Sequence, residues 1–228
     1  MLIFSLSIIV LIGCSYSIIP TLAYKWHNKL KRKSFKDKSI YLTFDDGPDE
    51  KYTGQLLDLL QHYKITATFF VVGEFAYKNP ELITRMQQEG HTIGLHSLKH
   101  QNALWQTPKA TYNDLQESLK VMEKLGVEVK LFRPPWGHLN WALLRGLKQY
   151  GLKLALWDVM TQDWSGYTRA QDIADKLIYR VKTGSVICLH DGRGKNEAPR
   201  RTIAALEQVI PIWLLEGYTF RKMDEYDE

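Results

Sequence analysis

Two histidines stand four positions apart in His96-Ser97-Leu98-Lys99-His100. That spacing brings two imidazoles to one side of a helical turn, where they can share a metal ion. The pair alone is a weak signal, since such pairs are common on protein surfaces. A third ligand changes its meaning. Asp45-Asp46-Gly47-Pro48 supplies adjacent carboxylates, which a tight turn aims differently. One can bind the metal while the other accepts a proton. Taken alone, the same four residues read as an ordinary turn. Two imidazoles and a carboxylate leave coordination positions open for water and substrate, as catalytic zinc sites do. Such a metal lowers the pKa of water and polarises a carbonyl. His190, in Leu189-His190-Asp191, is either a general acid or a core histidine bonded to backbone. Arg133 either grips a carboxylate or sits solvated in a loop. Trp136, Trp157 and Trp164 either wall a sugar-binding groove or simply pack.

These residues need elements that bring them together. Strands are expected at Ser39–Thr43, Thr66–Val72, Thr92–Leu95, Val129–Phe132, Lys153–Trp157, Ser185–Leu189 and Tyr218–Phe220. Helices are expected at Tyr52–Tyr63, Pro80–Glu89, Tyr112–Leu125, Trp141–Tyr150, Ala170–Lys182 and Arg200–Glu216, the last interrupted at Pro211. Alternation of this kind implies parallel strands with crossover helices in one domain. A (β/α) barrel and a doubly wound sheet both fit. In either, the site lies at the carboxyl ends of the strands. Asp45-Asp46, His96, Arg133, Asp158 with Asp163, and His190 each follow a different strand, so five strand ends converge on one mouth.

The chain has 228 residues, 45% hydrophobic and 24% charged, which excludes disorder and collagen-like repeats. Two cysteines cannot build a disulfide framework, and Cys188 reads as a small buried hydrophobe. The net charge of +5 is unevenly placed. Residues 25–38 carry seven basic groups and one acid; residues 1–24 carry no charge, so the remaining 190 residues sum to −1. A nucleic-acid binder spreads positive charge over its domain, so no nucleic-acid partner is expected.

Residues 2–24 are uncharged, and about 20 apolar residues span a bilayer. An uncleaved anchor is the first of three readings. The others are a cleaved signal peptide ending near Thr21-Leu22-Ala23 and a lipoprotein signal at Leu11-Ile12-Gly13-Cys14. The basic run that follows would be held inside by the positive-inside rule, against the exterior location that the chemistry favours. Four segments are therefore expected: 1–24 as membrane anchor or signal, 25–38 as basic juxtamembrane linker, 39–222 as catalytic domain and 223–228 as tail.

In their order, these motifs resemble the polysaccharide deacetylase family, carbohydrate esterase family 4, with its nodulation-type chitooligosaccharide deacetylase homology domain. Thr43-Phe44-Asp45-Asp46-Gly47-Pro48 resembles the first family motif and His96-Ser97-Leu98-Lys99-His100 the second. Arg133-Pro134-Pro135-Trp136-Gly137 is similar to the third, the stretch from Trp157 to Trp164 to the fourth, and Leu189-His190-Asp191 to the fifth. The similarity runs from about Ile40 to Phe220. It implies an α/β fold, a distorted (β/α) barrel of about seven parallel strands behind an N-terminal membrane segment. It also implies a metal-dependent hydrolase of carbon–nitrogen bonds other than peptide bonds. That enzyme removes N-acetyl groups from N-acetylglucosamine-type residues of peptidoglycan or a chitin-like polymer.

On the resemblance, Asp45 is the general base, and Asp46, His96 and His100 bind the metal, Zn2+ or else Co2+. Arg133 holds Asp45, and Asp163 orients the general acid His190. Trp136 offers a backbone N–H to the oxyanion, Trp164 an apolar wall, and Leu189 a lining for the acetyl methyl. One departure is Met160, where members often carry a further Asp. The expected location is the cell membrane with the catalytic domain extracytoplasmic, or a secreted or lipid-anchored form. An inactive glycan-binding homologue and a metal amidase on another acyl amide are the competing functions; every base, acid and ligand position is retained, which weighs against the first.

Overall fold

The computed structural model describes residues 13–30 and 37–226, the side chains of 28–30 excepted. A π-helical turn at Cys14–Ile18 runs into α1 (Ile19–Leu30). The body then alternates β1 (Ser39–Asp45), α2 (Thr53–His62), β2 (Thr68–Val71), α3 (Gly73–Lys78), α4 (Pro80–Gln88), β3 (Thr92–Leu95) and α5 (Pro108–Lys124). It continues through β4 (Leu131–Phe132), α6 (Trp141–Gln149), β5 (Lys153–Leu154), β6 (Val159–Met160), α7 (Ala170–Arg180), β7 (Val186–His190), α8 (Ala198–Leu215) and β8 (Thr219–Arg221).

The described strand pairings are all parallel, in the order β5-β4-β3-β2-β1-β7-β6, with β8 beside the start of β1. The seven-strand path curls into an open, distorted (β/α) barrel rather than a doubly wound sheet. All seven residues of β1 are buried, as expected of a parallel strand covered on both sides.

Strand alternation sorts the core into two layers. Ile40, Leu42 and Phe44 join the large cluster between sheet and helices, together with Ile187 and Leu189 of β7. Tyr41, Phe70, Leu131, Ala155 and Val186 fill the inside of the curl. Near the carboxyl ends the inner positions turn polar, with Thr43 and Asp45 on β1 and Cys188 and His190 on β7. The start of β1 and the end of the body are tied together: Ser39 pairs with Thr219, and Arg221 Nη2 reaches Asp37 Oδ2 at 2.7 Å.

The expected strand at Lys153–Trp157 divides. β5 ends at Leu154 because the carbonyls of Ala155 and Leu156 turn to the Arg133 guanidinium, at 3.4 and 3.5 Å. The chain then re-enters the sheet as β6. Helix α5 begins at Pro108 rather than Tyr112, where Thr107 Oγ1 accepts the Ala110 N–H at 3.2 Å and proline takes the first helical position. Pro211 does not interrupt α8.

Among the described residues no helix is long and apolar enough to cross a membrane, so a spanning anchor is not seen there. The apolar residues 2–12 on which that expectation rests lie outside the described residues. Helix α1 also runs across the boundary expected between residues 24 and 25.

Candidate active site

The carboxyl ends of β1, β3, β4 and β7 place the chemistry. Backbone ladders hold them in register: the His96 N–H donates to Val71, Arg133 N–H to Leu95, and Asp191 N–H to Asp45. One ligand atom each from Asp46, His96 and His100 lies within 4.8 Å of the others. His100 Nε2 is 3.0 Å and His96 Nε2 3.4 Å from Asp46 Oδ1.

The donor set fits a divalent cation. His96 Nδ1 lies 2.7 Å from the Arg133 carbonyl, which can only accept. The ring proton is thereby fixed on Nδ1, and the Nε2 lone pair is left to face Asp46. Burial lowers the His100 pKa, with Asp46 only partly opposing it, so that imidazole is neutral. Burial alone would raise the Asp46 pKa, but His100 and His96 hold it well below the usual range. Asp46 Oδ1 is buried with no hydrogen-bond partner. A buried anionic oxygen beside two ring nitrogens, none forming a bond of good geometry to it, is the arrangement a shared cation satisfies. Two imidazoles favour a transition metal over an alkaline earth.

Asp45 stands apart from these ligands. Its Oδ1 accepts from Arg133 Nη1 at 2.7 Å, and its Oδ2 accepts from the Cys188 thiol at 3.3 Å. Arg133 is fully buried between the rings of Phe70, 4.0 Å from its guanidinium carbon, and Trp157 at 5.5 Å. Arg133 Nη1 also donates to Thr43 Oγ1 at 2.6 Å, and that hydroxyl donates to the Ile187 carbonyl at 2.7 Å. Removing one partner of such a buried ion pair typically costs about 3–5 kcal/mol.

Across the mouth, Asp163 Oδ2 accepts the His190 backbone N–H at 2.8 Å, while Oδ1 lies 3.0 Å from His190 Nδ1. Thr202 Oγ1 donates to the same carboxylate at 2.9 Å. Burial would lower the His190 pKa. The charge and hydrogen bond of Asp163, with Asp46 and Asp45 behind it, outweigh burial and push it up to about 9. Its Nε2 is left for substrate.

Strain gathers here. Asp46, Ser97, His100 and Trp136 all have positive φ, at 75°, 65°, 55° and 56°, although none is glycine. Such residues persist where the surroundings over-determine them, and they cluster at functional sites. Two glycines permit the strand-end loops to touch. A Cβ on Gly47 would overlap the Asp191 carboxylate, and one on Gly192 would overlap the Asp46 carbonyl. The Trp136 ring meets His100 edge-on at 4.4 Å, and Trp164 lies half-exposed beside Asp163.

One expected residue is misplaced. Leu189 is fully buried in the sheet–helix core, paired with Phe44, and does not line the site. Alternation along β7 gives that place to Cys188. By composition Cys188 is plain core; its position two residues before His190, on the same face of one strand, is the signal that marks it. Thr43 carries the same signal, two residues before Asp45. Thr202, and Asp114, which accepts the Leu98 N–H in the loop carrying the two histidines, come from helices and left none.

A sequence model of the polysaccharide deacetylases matches residues 32–155. The chain belongs to the polysaccharide deacetylase family. It is 37% identical over 191 residues to a peptidoglycan-N-acetylglucosamine deacetylase of Bacillus cereus, covering 83% of this chain and 88% of that one. It is 30% identical to a chitooligosaccharide deacetylase of Azorhizobium caulinodans, over 81% of this chain and 92% of that one. Among solved structures it is similar to a family 4 acetyl xylan esterase from Clostridium thermocellum in complex with a cobalt ion. There the TM-score is 0.76 and the identity 32%, over 83% of this chain and 90% of that one. The enzyme is therefore a hydrolase of carbon–nitrogen bonds, of the polysaccharide N-deacetylase class.

Proposed function

We propose that the enzyme removes acetyl groups from N-acetylated aminosugar residues of a cell-envelope glycan, with peptidoglycan the favoured polymer. The observation that carries this reading is the separation of roles around one mouth. A carboxylate locked by a buried arginine, a cation-shaped Asp-His-His set and a carboxylate-held imidazole come from different strand ends. The higher identity to the peptidoglycan relative favours that polymer over chitin oligomers.

Asp46, His96 and His100 would hold Zn2+, or Co2+ in its place. Such an ion supplies Lewis acidity, lowering the pKa of water and polarising the acetyl carbonyl. Asp45, aimed by Arg133, takes the proton of the attacking water. The Trp136 backbone N–H, on its strained turn, stabilises the charge that develops on the carbonyl oxygen. His190, protonated and steadied by Asp163, gives its proton to the departing sugar amine. Acetate and a free amine result. Trp164 offers the sugar an apolar wall. Because such glycans lie outside the cell, we place the catalytic body there too, tethered through the N-terminal segment.

Mass spectrometry after incubation with peptidoglycan and with chitin oligomers tests the substrate. Peptidoglycan fragments should lose the mass difference between an acetyl group and a hydrogen at each deacetylated sugar. Loss from chitin oligomers alone would reject the polymer, and loss from neither would reject deacetylation. Chelation should abolish turnover, and Zn2+ or Co2+ should restore it. Asp45→Asn should keep the metal and lose the base, whereas Asp46→Asn should lose the metal. Equal loss of metal in both would overturn the division of roles.

A further inference from the structure

Helix α1 and the π turn before it are docked on the catalytic body through a mixed side: Ser17, Pro20 and Thr21 are buried, and Tyr24 packs against the core. Thr21 Oγ1 both donates to the Leu139 carbonyl, at 3.0 Å, and accepts the Leu139 N–H, at 2.8 Å. Ser17 Oγ donates to the Leu104 carbonyl at 3.3 Å, and Lys25 Nζ to the Trp136 carbonyl at 3.3 Å. The body answers with Trp141, whose Nε1 donates to the Ser15 carbonyl at 2.9 Å. Ser17 and Thr21 are spaced four apart and face inward, and Lys25, one turn further on, is exposed but reaches back to the body through its Nζ.

The outward side is apolar. Ile18 is 44% exposed, Ile19 54%, Leu22 61% and Trp26 66%. A helix on a water-soluble body turns charged and polar residues outward, not four large apolar ones. An exposed apolar patch of this kind marks a partner.

We propose that α1 lies along a bilayer of anionic lipid, its outward apolar residues in the membrane and its Ser17–Thr21 side on the body. Three observations favour lipid over a second copy of the chain. Residues 2–12, uncharged and mostly apolar, lead directly into the docked turn, and the run 25–38, net +6, follows it. Basic groups beside an apolar helix complement an anionic leaflet. Two further tryptophans flank the docked turn, Trp141 at 50% and Trp105 at 85% exposure, and tryptophan concentrates at the membrane–water interface. The Lys25–Trp136 contact then holds the substrate mouth beside the bilayer surface. The proposal does not depend on which glycan is deacetylated.

Nitroxide labels placed singly at positions 17, 18, 19, 21, 22 and 26 of the full chain, in a Cys14→Ala background, test it. The chain is reconstituted in vesicles of phosphatidylglycerol and phosphatidylethanolamine. Labels at 18, 19, 22 and 26 should be relaxed several-fold more by lipid-soluble oxygen than by a water-soluble nickel chelate. Labels at 17 and 21 should be immobile and shielded from both. Lipid exposure at every position would mean an undocked spanning helix and overturn the proposal. Chelate access at 18, 22 and 26 would overturn it as well, as would dipolar broadening between copies labelled at 22 without lipid contact. A label at 21 perturbs the contact it reports, so hydrogen exchange at the Leu139 amide gives a second readout in the unlabelled chain. Protection should persist on vesicles, and its loss there would also overturn the docked arrangement.

Discussion

His190 and Asp163 carry the clearest pH signature at the scale of single residues. The folded His190 pKa, about 9, lies above the ordinary histidine value of 6.5. Its proton is therefore present below about 9 and lost above it, so kcat/KM should fall as the pH rises through about 9. Asp163→Asn removes the main upward influence and should move that falling limb to lower pH. His190→Ala should cost ~10²–10⁴-fold in rate and flatten the limb. A limb that Asp163→Asn leaves unmoved would show that His190 is not the acid.

Cys188 makes a subtler contribution. Burial, with Asp45 beside it, pushes the thiol well above its usual range, so it stays protonated as a donor to the base. One such bond is worth about 1 kcal/mol, roughly fivefold in rate. Cys188→Ala should lower kcat by that order and leave metal content unchanged, and Cys188→Ser should recover part of the loss. Steady-state rates alongside metal analysis check both. The site residues legible in the sequence were those whose chemistry is unusual in a core: paired carboxylates, spaced histidines and an arginine after a strand. Cys188 was not, because a cysteine in an apolar strand reads the same whichever way it points.

Helix α5 controls the loop that carries His96 and His100. Asp114 accepts the Leu98 N–H at 3.2 Å. Its burial, against the pull of the Leu98 and Lys99 amides, raises its pKa from the ordinary 3.8 to about 6. A raised carboxyl contributes stability below its unfolded value and loses it as the pH rises through the folded one. Asp114→Asn keeps an acceptor for Leu98 without a buried charge. It should raise stability at pH 8 by on the order of 2 kcal/mol, roughly 4–8 °C in Tm, with the gain vanishing near pH 4. Thermal scans at the two pH values read this directly. Elements themselves were legible where turn-forming residues bound them: α4 starts at Pro80 as expected, and β3, after Gly90, is found at both its expected ends, Thr92 and Leu95. β4, β5 and β6 span two residues each, too few for a period to show. The end of β5 is set by Arg133 drawing the Ala155 and Leu156 carbonyls out of the ladder, which is a tertiary event.

The whole molecule is a nearly neutral body with a charged and apolar extension docked on it. A chain beginning at Ser39 should leave the membrane fraction, since it lacks the apolar and basic extension and its body sums to −1. It should still bind metal and turn over. Losing Thr21 frees Leu139 in the loop that follows the Trp136 turn, so kcat should drop with KM little changed, and Tm should fall by a few degrees. Fractionation, kinetics and calorimetry on the two chains decide this; equal kcat would show that α1 only tethers. In intact wall-stripped cells, added protease should digest the body of the full chain. Complete protection until lysis would place it inside.

The pairing of Ser39 with Thr219, reinforced by Arg221 and Asp37, makes neighbours of the two ends of the catalytic body. Its connectivity is thus nearly a closed ring, and a short linker from the residues after β8 to Asp37 would complete it. The chain could then be reopened at the exposed Tyr167, between β6 and α7. Every strand end that carries a site residue would remain in its own element. Such a circular permutant would free the body of the extension at residue 37 while keeping β1, the strand with most partners, in the interior of its chain.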